Sequence, residues 1–204
     1  MKWKDFFTKV YLINLSERED RLDVSRGTLE ENGIEFERWE ATKMENGVLG
    51  LLDTMKKLFT HVLENTDDQN ILVLEDDFKF LLPPNGFLNM LVEQLPTDYD
   101  CLFLGCNLLT VPTRFSENLL KIEQSYSTHA IGYSRAAIEK IMPLFEKPVA
   151  YDIMLRNGIQ WDGKCYCTYP MLATQHAGHS SIENKFIDWG SYISQSYRTY
   201  TKGI

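Results

Sequence analysis

The chain has 204 residues, 44% hydrophobic and 25% charged, the make-up of a globular domain with one good core rather than of a disordered or fibrous protein. Its net charge of −8 counts against a general nucleic-acid binder, whose footprint is a basic surface, but still allows an anionic substrate if a metal ion brings positive charge. No run approaches the roughly 18 apolar residues of a membrane span, and the opening MKWKDFFTKVYLINL lacks a secretory leader pattern, so the sequence reads as made and kept in the cytoplasm.

Val10 to Leu15 reads as a first strand. Ser16 and Glu19 then show capping-box spacing, predicting a helix that runs to about Asn32 and ends at Gly33. Residues 35–40 alternate as a second strand would. From Leu51 the apolar positions Leu51, Met55, Leu58, Phe59, Val62 and Leu63 recur at helical spacing, which puts His61 on the outer face with Thr54 and Lys57. Ile71 to Leu74 is a short continuous apolar strand, of the kind covered on both faces in a parallel sheet. A helix over 86–95 and a buried strand over 100–105 follow. Residues 110–126 show no clear period. Next come a strand over 128–133 with His129 in or beside the core, a helix over 135–145, a short helix over 151–157 and a short strand over 165–169. Cys101, Cys106, Cys165 and Cys167 match no zinc or redox spacing and read as buried thiols. The alternation of strands and helices predicts one α/β domain over 1–204, with a mostly parallel central sheet and helices on both faces. Residues 180–204, aromatic and polar, are read as a C-terminal wrap or lid.

The chemistry concentrates where the strand Ile71 to Leu74 runs into Glu75-Asp76-Asp77. Three adjacent carboxylates repel, and burial raises that cost. On an extended segment Glu75 and Asp77 share one face and Asp76 takes the other. Two oxygen ligands on one face suit magnesium or manganese, which keep positions open for water and a diphosphate. The stretch Gln175-His176-Ala177-Gly178-His179 offers an imidazole as a third ligand, His176 or His179. Asp152, at a predicted helix start, serves the helix dipole or acts as a general base.

Taken in order, these pieces resemble glycosyltransferase family 25, which includes bacterial lipooligosaccharide and collagen galactosyltransferases. The likeness rests on VYLINLSEREDR, GIEFERWEAT, ILVLEDDF, THAIGYSRAAIEKIM, YDIML and YPMLATQHAGHSSI. It implies a GT-A fold, a nucleotide-sugar donor, Mn2+ or Mg2+, and hexosyl transfer (galactose or glucose, UDP-linked) with inversion. The acceptor would be a glycan, protein or small molecule, with lipopolysaccharide biosynthesis the natural setting. By the same resemblance Asn14, Arg21 and Thr42 hold the nucleotide end, and Gln175 and Ser180 line the donor site. Glu75, Asp77 and His176 bind the metal, Asp76 orients the donor sugar, and Asp152 deprotonates the acceptor. The chain departs from the family pattern at Ala41-Thr42-Lys43 and over 50–54, near the expected substrate sites. Two other readings stand beside this one. One is a non-catalytic sugar-nucleotide or glycan-binding module. The other is a metal-dependent nucleotidyltransferase or phosphatase, for which the chain has no glycine-rich phosphate loop or nucleophile elbow.

Overall fold

A computed structural model describes residues 2–180 and 185–204, with the backbone alone at 179 and 180. A short helix that the sequence pattern does not announce, α1 (Trp3–Phe6), precedes β1 (Lys9–Asn14). Helix α2 (Glu19–Glu31) leads to β2 (Glu37–Glu40), and α3 (Gly47–Asn65) to β3 (Asn70–Glu75). A tight turn joins β3 to β4 (Phe78–Phe80), and α4 (Pro84–Gln94) precedes β5 (Cys101–Phe103). The stretch without a sequence period holds four short strands: β6 (Asn107–Leu108), β7 (Thr113–Arg114), β8 (Leu119–Ile122) and β9 (Ser125–Tyr126). Next come β10 (Ala130–Ser134), α5 (Arg135–Ile141), α6 (Tyr151–Gly158) and β11 (Cys165–Thr168). The described chain ends with β12 (Ala173–Gln175), the β13 (Gly178–Ser180) and β14 (Lys185–Ile187) ribbon, and α7 (Trp189–Tyr200).

Eight strands form one sheet in the order β2-β1-β3-β10-β5-β11-β8-β7. Strands β10 and β8 run against the other six, so the sheet is mostly parallel in direction, as expected. Alternate residues of the strands feed two cores. Tyr11, Ile13, Ile71, Val73, Phe103 and Ile131 pack beneath α3, α5, α6 and α7. Val10, Leu12, Leu72, Leu74, Leu102 and Ala130 pack on the opposite face with α1, α2 and α4. Cover on both faces explains why β3 reads as an unbroken apolar run. All four cysteines are buried free thiols.

Gly33 ends α2 as predicted. At φ 59° it is left-handed, its N–H reaches the Glu30 carbonyl at 2.9 Å, and the Ile34 N–H reaches Leu29 at 2.9 Å, the two bonds of a Schellman motif. The capping box does not form. A turn closed by the Arg18 N–H on the Leu15 carbonyl (2.9 Å) delays the helix to Glu19. Thr54 is also a correction: it is buried, donating to the Gly50 carbonyl at 2.7 Å and accepting the Thr42 N–H at 2.8 Å. His61 packs on Trp39, ring centroids 5.2 Å apart, instead of standing alone in solvent.

Gly50 lets the start of α3 press against the 41–44 segment: a Cβ there would stand 2.6 Å from the Thr42 carbonyl oxygen. Gly50→Ala gains about 1 kcal/mol of helix propensity but forces backbone apart, a cost of roughly 1–3 kcal/mol. We expect a net loss in a urea melt despite the better helix former. An increase in stability would show that the segment gives way freely.

Candidate functional site

Strands β1, β2 and β3 are parallel and in register, Ile13 opposite Glu75 and Asn14 opposite Glu40, so their carboxyl ends share one edge. Open α/β sheets bind ligands at that edge. Strand β10 runs the other way, with Ala130 beside Leu74, and so delivers the residues before it, Ser127 and Thr128, to the same edge.

The chain turns at Asp76 and Asp77, and this corrects the expected split of the carboxylates between two faces: all three line one open cavity of about 240 Å³. Asp76 accepts from Asn14 Nδ2 at 2.8 Å and Arg21 Nη1 at 2.9 Å. Asp77 accepts from Gln175 Nε2 at 3.2 Å and lies 3.4 Å from Arg21 Nη1. Glu75 accepts from Thr128 Oγ1 at 2.6 Å. Ser25 Oγ donates to the Asp76 carbonyl at 2.8 Å, pinning the turn to α2. Asn14 is almost wholly buried and fully engaged: its Nδ2 also donates to the Arg18 carbonyl, and its Oδ1 accepts from Arg38. Thr42, Lys43, Gly47 and Leu51 form the opposite wall.

Burial pushes Glu75 up to about 8, with the Asp77 charge the next cause. Burial also raises Asp76 and Asp77, against the opposing pull of Arg21. A raised carboxylate stabilises the fold while it keeps its proton. For Glu75 that contribution is complete below its ordinary 4.5 and is lost as pH rises through about 8. Metal-free protein is therefore expected to melt lower at about pH 9 than at about pH 6, and Glu75→Gln to flatten that fall. Equal pH slopes for the two proteins would show that Glu75 is not the group responsible.

A second cavity, of about 210 Å³, adjoins the first: Leu51, Glu75, Gln175 and Trp189 line both. Asp152, in the first turn of α6, lies in it with Tyr126, Ser127, Thr128 and Tyr151. The Ile153 N–H donates to Asp152 Oδ1 at 2.8 Å, and the Ser127 N–H is a second donor. Ser127 adopts φ 74°, a left-handed conformation uncommon outside glycine. Burial raises Asp152 above its ordinary 3.8 despite these donors and Arg156. Arg156 itself hydrogen-bonds Tyr126 and stacks on its ring.

Asn14, Arg21, Thr42, Glu75, Asp76, Asp77 and Gln175 thus gather in the first cavity, with Asp152 across the shared wall. His176 does not join them. Its backbone N–H donates to the Asp77 carbonyl at 2.8 Å, while the residue lines a neighbouring groove with Lys79 and Arg198. Ser180 is on β13, and its side chain, like that of His179, lies outside the described residues. So do residues 181–184 of the expected wrap. From 185 on, α7 packs Ile193 and Tyr197 into the core, and its first residue, Trp189, enters the cleft. His129 is buried, and burial pulls its imidazole down to about 4, which keeps it neutral. Sequence reasoning missed Thr128, Ser127 and Trp189 as site residues. Their only local signal was position beside a strand or helix end.

Among the described residues no group of three or more His, Cys, Asp or Glu side chains is set to hold a metal ion. The donor chemistry at the β3 turn nevertheless fits a hard divalent cation. Two half-buried, mutually repelling carboxylates, Glu75 and Asp77, face an open cavity, with Arg21 shared between Asp76 and Asp77. Among the described residues no helix is long and apolar enough to cross a membrane.

No family model matches the chain, and no curated protein matches it. Solved structures do. One is A197 from STIV, 13% identical, with a TM-score of 0.52 over 88% of this chain and 92% of that one. Another is a glycosyltransferase involved in the glycosylation of the major capsid of PBCV-1, 10% identical, with a TM-score of 0.52 over 93% and 98%. The chain therefore has a GT-A-like fold; the narrower likeness to family 25 rests on the sequence motifs alone.

Proposed function

We propose that the protein is a metal-dependent glycosyltransferase that moves a hexose, galactose or glucose, from a UDP-linked donor to an acceptor hydroxyl with inversion. The observation that carries the reading is the pair of adjoining cavities with Glu75 in their shared wall: an acidic, arginine-bearing chamber on one side and a half-buried carboxylate, Asp152, on the other. The fold shared with a glycosyltransferase involved in capsid glycosylation supports it.

The first cavity takes the nucleotide diphosphate, with Thr42 and Gln175 on its walls. Asn14 and Arg21 fix Asp76, which orients the donor sugar. Glu75 and Asp77 would hold Mn2+ or Mg2+, with His176 or His179 as a third ligand if the 176–180 segment closes inward. When bound, the ion neutralises charge that gathers on the diphosphate. The acceptor, a glycan, protein or small molecule, enters the second cavity. Asp152 takes the proton of its hydroxyl as that oxygen bonds the anomeric carbon and the bond from that carbon to the diphosphate breaks. Attack from the side opposite the leaving group inverts the centre.

The test is donor hydrolysis without acceptor. With manganese and a panel of UDP- and GDP-sugars, one UDP-hexose is expected to release nucleotide diphosphate, and chelation to stop it. Silence across the panel, together with no thermal shift from any of these nucleotides, would overturn the proposal. Release of free phosphate or pyrophosphate without sugar would favour a phosphate enzyme.

A further inference from the structure

We infer that the groove between the β4–β12 ribbon and α7 is a binding site for a phosphate monoester. Register and helical spacing build its walls. Strands β4 and β12 are antiparallel with Lys79 opposite Thr174, and directly opposed residues of such a pair share one face. His176, two residues beyond Thr174, lines the same groove. Across from them α7 presents Ser194 and Arg198, one helical turn apart. The groove is open and measures about 300 Å³, the lower end of the range of ligand sites.

Two independent observations point to an anion. The first is charge without a counterion. Among the described residues Lys79 and Arg198 form no ion pair, in a chain whose net charge is −8. The carboxylate among the groove's described residues, Asp188, is engaged in capping α7, where it accepts the Ser191 N–H at 3.0 Å and the Ser191 hydroxyl. The second is Thr174. It is 6% exposed, and its Oγ1 is buried with no hydrogen-bond partner among the described residues. Such an orphan hydroxyl costs stability and marks a missing acceptor. A phosphate monoester carries three oxygens beyond its ester bond, enough to meet an ammonium, a guanidinium and a hydroxyl arriving from two elements. A carboxylate offers two oxygens in one plane. Glu75, Asp76 and Asp77 do not line this groove, so no carboxylate cluster repels the anion here. Gln175 lines both the groove and the first cavity, but its amide donates to Asp77. The site therefore stands apart from the transferase reading.

The experiment titrates the whole protein, free of metal and nucleotide, with inorganic phosphate, glycerol 1-phosphate and acetate, read by calorimetry. Both phosphates should bind, and acetate about tenfold more weakly or not at all. The double variant Lys79→Gln, Arg198→Gln, changed at two exposed positions, should lose about tenfold or more in phosphate affinity, the scale of a charge-assisted hydrogen bond, and keep the wild-type melting temperature. Thr174→Val should bind phosphate more weakly yet melt about 2 °C higher, because it removes the unpartnered hydroxyl. Flotation with phosphatidylcholine vesicles, with and without phosphatidic acid, separates the sources. Binding that needs phosphatidic acid and is lost in the double variant assigns a lipid headgroup, and its absence beside soluble binding assigns a soluble phosphate ester. The inference is overturned if neither phosphate binds, if acetate binds as tightly, or if Thr174→Val keeps wild-type affinity. Wild-type affinity in the double variant would also overturn it, by placing the anion elsewhere, such as beside Arg21.

Discussion

Asp77→Asn is expected to abolish the rise in melting temperature that manganese plus UDP gives the wild-type protein, and to lower transfer by roughly a thousandfold or more, since a bound ion contributes several kcal/mol to the transition state. The asparagine keeps an oxygen for Gln175 Nε2, which now donates at 3.2 Å, so the turn should survive. The same change should raise the stability of metal-free protein. It removes one of three crowded carboxylates and, with it, the second-largest cause of the raised Glu75. A variant that is more stable without metal and dead with it is the mark of a site whose repulsion is kept for binding. A nucleotide-induced shift of wild-type size in Asp77→Asn would sink the metal assignment.

Asp152→Asn should fall by about 10²–10⁴-fold in kcat for transfer, the usual contribution of a positioned base, while the thermal shift with UDP and manganese stays. Asn is nearly isosteric and still accepts the Ile153 N–H that now reaches Oδ1. The pH profile gives a second reading. Burial holds Asp152 above 3.8, and a base must be deprotonated to work, so wild-type transfer should decline as pH falls through that raised value. The variant should lose this acid limb. A wild-type rate in Asp152→Asn would assign the base elsewhere, and a protein that binds donor but never turns over would favour a non-catalytic module.

How much of this was legible in the sequence follows the range of the forces involved. Local periodicity located α3, β3, α5 and α6, because the apolar residues that each sends into the core repeat with the period of its own element. Gly33 announced its Schellman ending because only local backbone geometry is at stake. Ser16 misled, because the hydrogen bonds of the turn at 15–18 and of Asn14 to Arg18 outcompete the capping box. Strands β6, β7 and β9 are only two residues long, too short to show an alternating period, so no local pattern marks them. The carboxylates were found from their adjacency. Their convergence on one cavity was not, since it depends on a turn after β3 pinned by Ser25 and Arg21 from another helix. Thr128 and Trp189 reach the site by topology alone: the reversed direction of β10 brings one, and the docking of α7 the other.

Glu75 lines both cavities, so if they take donor and acceptor as proposed, the two ligands would not bind independently. A nucleotide and cation that fixed its charge and rotamer in the first chamber would also set the wall of the second. This is thermodynamic linkage, and it is reciprocal: whatever factor the donor adds to acceptor affinity, the acceptor adds to donor affinity. Such coupling would show as an acceptor affinity that rises when nucleotide and cation are present.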